Sequence, residues 1–351
     1  MELGGNMKKK LIPVALGLLG FITSCAHTNG LTADVFIYQF SDTYIGTVRT
    51  ALETNLKEKG VTPKFYDAGG VQATQTQQIE SALSTGSQIL LANLVEQTAT
   101  GDAVAEKAKA KDVPVIFFNR EVPDSSVNPA TYPDNAFVGT DPDQAGYMQG
   151  EILAGALIKD GAINPLWDKN GDGKINYVML RADESNAEAN GRTKYSVQEA
   201  NRLLAEAGLD PLVHLGEDYN AGWSKDNAKQ AMDNFISTYG LTGANAIECV
   251  IANNDDMALG AVASLQTQNY NKGGENALLV VGVDATAAAQ AAIDAGEMYG
   301  TVKQDAEAMA QCIAELTANK LAGKDFLDGT SYAWDSETVH KIRIPYGSYT
   351  K

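Results

Sequence analysis

Short apolar runs alternate with longer segments of mixed apolar and polar residues along most of the chain. The apolar runs predict β-strands at residues 35–40, 63–66, 89–93, 115–118, 136–139, 177–181, 212–215, 249–252, 278–281 and 342–344. The longer segments predict helices near residues 43–58, 72–85, 102–111, 142–158, 186–207, 223–238, 255–269, 285–295 and 305–322. This βαβα alternation indicates parallel sheets with helices on both faces.

The length of the chain points to two domains. It has 351 residues, which is more than one hydrophobic core usually supports. The alternation of strands and helices also continues for about twice the span of one doubly wound domain. We therefore expect an α/β fold with two doubly wound parallel-sheet domains.

Polar and aromatic residues follow the predicted strands, at the end of the sheet where ligands bind in such folds. These residues are Asp42, Tyr44, Asn119, Arg120, Glu121, Asn186, Glu188, Arg192, Trp223, Asn253, Asn254, Asp255 and Asp284. Carboxylates, amides and guanidinium groups can bind adjacent hydroxyl pairs, and aromatic faces can pack against the C–H faces of a sugar ring. As a set, these residues predict a site for a polar, hydroxyl-rich ligand.

Each of these residues also has a structural interpretation. Asp284 and Asn254 stand where a helix N-cap is common, after a strand and before a helix. Trp223 could belong to a core, and Arg192 could be an exposed charge on a helix. The ligand interpretation is favoured by their common position at the strand ends.

Residues 168–176 have the spacing of a calcium-binding loop, D-x-[DN]-x-[DN]-G. The predicted ligands are Asp168, Asn170, Asp172, the carbonyl of Lys174 and the amide of Asn176. The twelfth position, where an EF-hand has a bidentate Glu, is Met179 within a predicted strand, so the remaining carboxylate must come from elsewhere in the chain. The alternative is a polar turn, because Asn-Gly and Asp-Gly favour turns without a metal.

The first residues have the pattern of an export signal. A basic segment, Lys8 to Lys10, precedes an apolar segment at 11–22 that is too short to span a bilayer. The sequence Ile-Thr-Ser-Cys at 22–25 resembles the lipobox of bacterial lipoproteins. We expect a signal peptide at residues 1–24, lipidation (palmitate among the acyl chains) on Cys25 and a linker at 25–33, with Met7 as a possible start. A leader with a chance Cys is the alternative.

Composition excludes some classes of function. The net charge of −17 argues against nucleic acid or an anionic membrane surface as a partner. The three His share no ligand spacing, which argues against a transition-metal site or a catalytic triad. Cys249 and Cys312 could each be a buried free thiol or could pair with each other. The Gln-rich segment 72–78 is most simply a solvated helix face.

Several motifs together resemble one known family. They lie at residues 113–121, 138–141, 250–255 and 281–284, beside the calcium loop without flanking EF-hand helices. With them the chain resembles the galactose/glucose-binding proteins, the periplasmic sugar-binding components of ABC importers, over nearly all of the mature sequence. The resemblance implies a type I periplasmic binding protein fold, and a structural Ca²⁺ whose detached carboxylate ligand is Glu248.

The resemblance also implies the sugar-binding residues. They are Asp42, Tyr44, Asn119, Asn186, Glu188, Arg192, Trp223, Asn254, Asp284 and Gln304. Four of them differ from the family pattern: Tyr44 replaces Phe, Asn186 replaces His, Glu188 replaces Asp and Gln304 replaces Asn. Each substitute can still bind a hydroxyl, but the choice between glucose and galactose stays open.

The resemblance implies three crossings between the domains, near Thr140–Asp141, Gln304–Asp305 and Ile342–Arg343. The N-terminal lobe would contain residues 34–140 and 305–342. The C-terminal lobe would contain residues 141–304 and 343–351, with the calcium loop. The sugar would lie in the cleft between the lobes, which would close by hinge bending.

The expected protein is therefore an exported, membrane-anchored lipoprotein and a monomer, periplasmic in a diderm cell or on the outer face of the membrane in a monoderm. It would bind D-glucose or D-galactose and deliver it to an ABC transporter permease.

The sequence leaves four alternative functions. They are a receptor for another sugar, a chemotaxis receptor partner without a transport role, a glycosidase using Asp42 and Glu188, and a DNA-binding repressor. Arg192 argues against the glycosidase because it would keep Glu188 ionised. The leader argues against the repressor.

Overall fold

The computed structural model describes residues 30–350, together with Met1, Glu2 and Gly4. Most of the leader, with Cys25, lies outside the described residues, and so does the lipidation prediction. The contacts divide the chain into two units, Met1–Gly30 and Leu31–Lys351, and the helices and strands given below belong to the second. Within the described residues, no helix is both long enough and apolar enough to cross a membrane.

The strands are β1 (Thr32–Ile37), β2 (Thr62–Asp67), β3 (Leu90–Ala92), β4 (Val115–Phe118), β5 (Asn135–Gly139), β6 (Ile158–Lys159), β7 (Ala162–Ile163), β8 (Asn176–Arg181), β9 (Val213–His214), β10 (Tyr219–Asn220), β11 (Cys249–Ala252), β12 (Leu279–Asp284), β13 (Gly300–Lys303), β14 (Lys341–Arg343) and β15 (Gly347–Thr350). The helices are α1 (Thr43–Glu58), α2 (Gln72–Ser84), α3 (Gln97–Lys109), α4 (Pro142–Leu157), α5 (Ala187–Glu206), α6 (Lys225–Tyr239), α7 (Asp255–Thr267), α8 (Ala287–Asp294) and α9 (Ala306–Leu321).

The first lobe is built on a parallel sheet with the strand order β14-β5-β4-β3-β1-β2. Side chains alternate between the two faces of each strand. In β1, Val35 and Ile37 join the core that includes Leu52 of α1 and Ile313 of α9. Phe36 joins the core on the other face, which contains residues of α2 and α3. Burial on both faces explains why the central strands β3 and β4 are continuous apolar runs, whereas β2 at the edge of the sheet is partly exposed.

The second lobe is built on a sheet with the strand order β10-β8-β11-β12-β13-β15, in which β9 also pairs with β8. The strands are parallel except for β15, which runs antiparallel to β13. In β8, Val178 and Leu180 pack with α6 and α7, whereas Tyr177 and Met179 pack with α4 and α5. The predicted fold class, two doubly wound parallel-sheet domains, is confirmed.

The chain crosses between the two sheets at three places. The first follows β5 at Thr140, and the second follows β13 at Gln304. For the third, Arg343 still pairs with Gly139 in the first sheet. Ile344 belongs to the first-lobe core and Tyr346 to a second-lobe core, so this crossing lies at residues 344–346, slightly beyond the expected position. A three-residue strand gives too short an apolar pattern to locate its end.

The two cysteines Cys249 and Cys312 and the glutamine Gln75 are all buried. Cys249 and Cys312 are both buried free thiols, in the cores of different lobes, so the possible disulfide between them is absent from the described residues. The solvated helix face predicted for residues 72–78 is wrong at Gln75, which is fully buried. Its amide donates to the carbonyl of Asn93 at 2.9 Å and accepts from the N–H of Val95 at 2.9 Å.

Candidate functional site

A cavity lies between the lobes, at the carboxyl ends of the strands of both sheets. The residues that line it include all ten predicted sugar-binding positions: Asp42, Tyr44, Asn119, Asn186, Glu188, Arg192, Trp223, Asn254, Asp284 and Gln304. Arg120, which the strand-end pattern also indicated, lines the cavity too, and Tyr38 and Ile45 complete the lining without having been predicted. The structure therefore brings the predicted set together in one place.

Asp42 is held by two contacts within the first lobe. It is the N-cap of α1, and its Oδ1 accepts the N–H of Ile45 at 2.7 Å. Its Oδ2 accepts the hydroxyl of Tyr38 at 2.6 Å, and the Arg120 guanidinium lies 4.5 Å from the centre of the Tyr38 ring. Burial raises the pKa of Asp42, while these two hydrogen bonds and the Arg120 charge act to lower it. The carboxylate is thus fixed in orientation at the cavity wall.

Asn119 follows β4 in the left-handed region, with φ 64°, which asparagine tolerates better than most residues. Its Oδ1 accepts from the side-chain amide of Asn93 at 3.1 Å. This contact leaves the amide nitrogen of Asn119 as a donor for a ligand. Asn93 is in turn fully buried and held by Gln75, and its Oδ1 accepts the N–H of Tyr38 at 3.2 Å. A buried amide pair thus supports the ligand wall from behind.

The first turns of α5 provide three side chains on the opposite wall. Asn186 is the N-cap, with Oδ1 accepting from Ala189 at 2.8 Å. Glu188 and Arg192 are four residues apart, which places them on the same face of the helix, and both are buried. Burial raises the pKa of Glu188, and the Glu121 carboxylate raises it further, against the lowering effect of Arg192. The exposed-charge interpretation of Arg192 is therefore wrong.

Arg192 connects several parts of the second lobe. Its Nη1 donates to the carbonyl of Asn253 at 2.8 Å and lies 3.8 Å from Oδ1 of Asp284. Its guanidinium carbon lies 5.7 Å from the centre of the Trp223 ring. Burial also raises the pKa of Asp284, while the positive charge of Arg192 acts to lower it. The guanidinium thus holds a carboxylate and an aromatic ring in a fixed relation at the cavity wall.

The structure shows which of the cap and ligand interpretations hold at Asn254 and Asp284. Asn254 is the N-cap of α7, with Oδ1 accepting from Met257 at 2.9 Å, and it lines the cavity as well. Asp284 is not a cap, because Thr286 caps α8. Trp223 is partly buried against the second-lobe core and also lines the cavity, so both interpretations of this residue hold.

Three buried polar atoms of the cavity residues have no hydrogen-bond partner among residues 30–350. They are the hydroxyl of Tyr44, Oε2 of Glu188 and Nε of Arg192. Leaving a buried polar group unpaired costs about 1–3 kcal/mol, so such groups are expected to find partners in a ligand. One donor, one acceptor and one hydroxyl that can do both suit a neutral ligand rich in hydroxyl groups.

The two lobes are in direct contact around the cavity. The hydroxyl of Thr43 donates to Asp256 at 2.6 Å, and the N–H of Glu121 donates to Oε1 of Glu188 at 3.0 Å. In each pair one residue belongs to the first lobe and the other to the second. The structure therefore shows a closed arrangement of the cleft.

The predicted calcium loop folds around the carboxylates of Asp168 and Glu248. Oδ1 of Asp168 accepts from Gly171 at 2.7 Å and Oδ2 from Gly173 at 3.0 Å. Glu248, directly before β11, is fully buried, and its Oε1 accepts the N–H of Lys169 at 2.7 Å. Burial raises the pKa of Glu248, and the nearby Asp168 carboxylate raises it further. The carboxylate expected from elsewhere in the chain thus does contact the loop.

Asn176 and Lys174 of the loop make contacts with neighbouring segments. The amide of Asn176 donates to the carbonyls of Ala244 and Ala246, and the ammonium of Lys174 lies 3.6 Å from Asp210, on the exposed side. Within the described residues, however, no three carboxylate, imidazole or thiol side chains converge closely enough to hold an ion by themselves. An ion at this loop would therefore need amide and backbone oxygens as well, which suits Ca²⁺.

Sequence comparison gives a clear family assignment. Residues 33–325 match the family model described as the periplasmic binding protein domain. The chain is also 31% identical over 320 residues to the D-galactose/methyl-galactoside binding periplasmic protein of Haemophilus influenzae. That alignment covers 89% of this chain and 87% of the relative.

Two solved structures are similar in fold. One is an ABC transporter solute binding protein from Bacillus halodurans C-125 with bound myo-inositol, 23% identical, with a TM-score of 0.70 over 91% of this chain and 94% of that chain. The other is a solute binding protein from Clostridium phytofermentans with bound β-D-glucose, 18% identical, with a TM-score of 0.70 and the same coverage. The chain belongs to the periplasmic binding protein family, a family of substrate-binding proteins and not of enzymes.

Proposed function

We propose that this protein binds a hexose, D-glucose or D-galactose, in the cleft and delivers it to an ABC transporter permease. The observation that carries the proposal is the convergence of all ten predicted positions on one cavity between the lobes, where three buried polar atoms have no partner among residues 30–350. The Haemophilus influenzae relative binds D-galactose and methyl-galactosides by its name, which supports a hexose.

The chemistry of the cavity walls fits a pyranose ring. Asp42, Glu188 and Asp284 would accept hydrogen bonds from sugar hydroxyls, and Asn119 and Arg192 would donate them. Tyr44 and Trp223 would pack against the two apolar faces of the ring. Because the carboxylates are buried, their contacts with hydroxyl groups would be little screened by water.

The site argues against hydrolysis of the bound sugar. A glycosidase built on Asp42 and Glu188 would need both carboxyl groups free, one to protonate the leaving group and the other to attack the sugar or to activate a water. Both oxygens of Asp42 are already engaged, with the N–H of Ile45 and the hydroxyl of Tyr38. We therefore propose binding without catalysis.

We further propose that loop 168–176, with Glu248, binds a structural Ca²⁺. Glu248 accepts N–H groups from Lys169 and Asn176, at the two ends of the loop, and so ties the loop to β11. When bound, the ion would offset the repulsion between the Glu248 and Asp168 carboxylates. The loop lies at the amino end of β8, on the opposite edge of the sheet from the cavity, so the role would be structural.

The proposals for the anchor and the partners rest on the sequence alone. We propose that Cys25 carries the lipid anchor of an exported protein that acts as a monomer. The bound form would dock on the permease, and a chemoreceptor is a second possible partner. Detergent partitioning of the full chain and of the variant Cys25→Ala tests the anchor. We expect the full chain in the detergent phase and the variant in the aqueous phase; the same distribution for both would show that Cys25 carries no lipid.

Calorimetric titration tests the proposed ligand. The protein lacking residues 1–25 would be unfolded and refolded to remove carried-over ligand, then titrated with glucose, galactose, ribose and myo-inositol. We expect micromolar or tighter binding of a hexose, lost in the variant Trp223→Ala. Trp334→Ala is the matched control, since Trp334 is also partly buried but packs in the first-lobe core. If neither glucose nor galactose gives binding heat, the hexose proposal is refuted. Binding heat with ribose or myo-inositol instead would identify a different polyol as the ligand.

A further inference from the structure

Three side chains, one from each crossing between the lobes, are in contact with one another. Thr140 stands at the first crossing, Gln304 at the second and Tyr346 at the third, and all three are buried. The hydroxyl of Thr140 donates to that of Tyr346 at 2.8 Å. The amide of Gln304 donates to the hydroxyl of Thr140 at 3.3 Å. Three segments far apart in sequence are thus joined by side-chain hydrogen bonds.

Arg192 completes this cluster from the second lobe. Its Nη2 donates to Oε1 of Gln304 at 3.1 Å and to the hydroxyl of Tyr346 at 3.2 Å. Thr140, Arg192, Gln304 and Tyr346 therefore form a closed set of hydrogen bonds, which we name the hinge ring. Both ends of the Gln304 amide are engaged within it.

The same guanidinium also faces the ligand cavity. Its Nη1 lies 3.8 Å from Asp284, and its Nε is buried without a partner among the described residues. Arg192 thus contacts the ligand wall with one side and the three crossings with the other. Since an arginine fork has fixed geometry, the position of the hinge ring determines where its other nitrogens point.

We propose that the hinge ring couples ligand binding to closure of the lobes. Thr140, Gln304 and Tyr346 act as positioning residues that hold Arg192 in its ligand-binding orientation. Hinge closure requires changes of backbone conformation in the crossings, so hydrogen bonds among three crossings are made at one relative spacing of the lobes. Because that spacing is the closed one, the ring stabilises the closed state and a bound ligand stabilises the ring. This inference rests on the proposed ligand-binding function.

The test measures closure separately from affinity. In protein lacking residues 1–25, and so lacking Cys25, cysteines at exposed positions in the two lobes, Gln77→Cys and Glu217→Cys, carry a fluorophore pair, while the native Cys249 and Cys312 are buried. Energy transfer then reports the closed fraction with and without ligand. We expect Thr140→Val and Tyr346→Phe to lower the closed fraction and to weaken binding about two- to tenfold, the loss expected for one or two buried hydrogen bonds.

Two further variants serve as controls. Tyr132→Phe removes the hydroxyl of another buried tyrosine, one that has no partner among the described residues and lies away from the cavity. This control should leave closure and affinity at wild-type values. Thr140→Ser restores the hydroxyl and should recover most of the closed fraction lost in Thr140→Val.

The possible outcomes separate this inference from the proposed function. Unchanged energy transfer and affinity in both Thr140→Val and Tyr346→Phe would overturn the inference, and so would a lower Tm without any change in closure or affinity. If the wild-type protein binds no hexose, the proposed function fails. Energy transfer in the ligand-free variants would still decide whether the ring stabilises the closed state.

Discussion

The carboxylate of Glu188 accepts the backbone N–H of Glu121 at 3.0 Å, which joins the two lobes across the cleft. The Glu121 backbone is held firmly through its side chain. The Glu121 carboxylate accepts from Nη1 and Nη2 of Arg343 at 2.6 and 2.9 Å and from the ammonium of Lys341 at 2.5 Å. The second oxygen of Glu188 remains available for a ligand. One carboxylate thus takes part in both closure and binding.

We predict that Glu188→Asp weakens ligand binding by at least about fivefold. The side chain shortened by one methylene cannot reach the Glu121 N–H and the ligand together, and a buried unpaired group costs about 1–3 kcal/mol. Calorimetric Kd values and the closed fraction of the ligand-bound protein measure the effect. Glu217→Asp, an exposed position in the same lobe, is the matched control. Equal affinity in wild type and Glu188→Asp would show that the interlobe contact is dispensable.

Glu188 also predicts opposite pH dependences for stability and affinity. Burial raises its pKa in the folded protein, so its ionisation destabilises the fold. The penalty is absent below the pKa of the unfolded chain and complete above that of the folded protein. As the pH rises from the ordinary pKa of a glutamate to the raised pKa of folded Glu188, the free energy of unfolding of wild type should fall relative to that of Glu188→Gln, by about 1.4 kcal/mol for each unit of raised pKa.

Affinity should change in the other direction. The ionised carboxylate is the stronger acceptor for a sugar hydroxyl, so wild-type affinity relative to Glu188→Gln should rise over the same pH range. Denaturant unfolding and calorimetric titration at several pH values check both trends. A stability difference that is constant with pH would mean that Glu188 titrates as an ordinary carboxyl group.

The alternation of apolar runs and helical segments was sufficient to predict most of the fold. The strand at Val115–Phe118 and the helix at Thr43–Glu58 have the predicted bounds because an apolar run and an N-cap define them locally. β15 (Gly347–Thr350) was missed, since its residues are half exposed and its pairing with β13 (Gly300–Lys303) is fixed by the chain crossing before it. Such a strand depends on tertiary contacts.

The candidate site was predictable where it follows a strand, and less so where a side chain reaches it from a distance. Asn119 and Asp284 come directly after β4 and at the end of β12, so topology alone brings them together. Tyr38 is close in sequence to Asp42, but nothing in the pattern shows that their side chains bond. Tyr346 lies beyond the last predicted strand, and its contact with Arg192 depends on the path of the third crossing.

For the calcium loop we predict that added Ca²⁺ raises the Tm of chelator-treated protein by several degrees. A ligand at about 100 times its Kd stabilises the folded state by about 2.7 kcal/mol. Glu248→Gln should lose this increment, because it removes a carboxylate that is fully buried at the loop. The comparison uses the difference in Tm with and without Ca²⁺, since this substitution also disturbs the backbone N–H groups that Glu248 accepts.

An exposed carboxylate beside the same loop gives the control. Asp210→Asn removes a charge near Lys174 but no predicted ligand, so the Ca²⁺ increment should persist. Wild-type protein whose Tm is unaffected by Ca²⁺ would show that residues 168–176 form a polar turn held by its own hydrogen bonds.

The last prediction compares two glutamines on one helix. Gln75 and Gln77 both lie on α2, but Gln75 is fully buried against Asn93 and Val95 while Gln77 is exposed. Gln75→Ala should lower the free energy of unfolding by about 1–3 kcal/mol, because the carbonyl of Asn93 and the N–H of Val95 lose their partner. It should also weaken ligand binding, since Asn93 holds Asn119 at the cavity wall. Gln77→Ala should change the free energy of unfolding by less than about 0.5 kcal/mol. Equal denaturant midpoints for the two variants would show that the Gln75 hydrogen bonds do not stabilise the fold, and equal ligand affinities would show that they do not support the site.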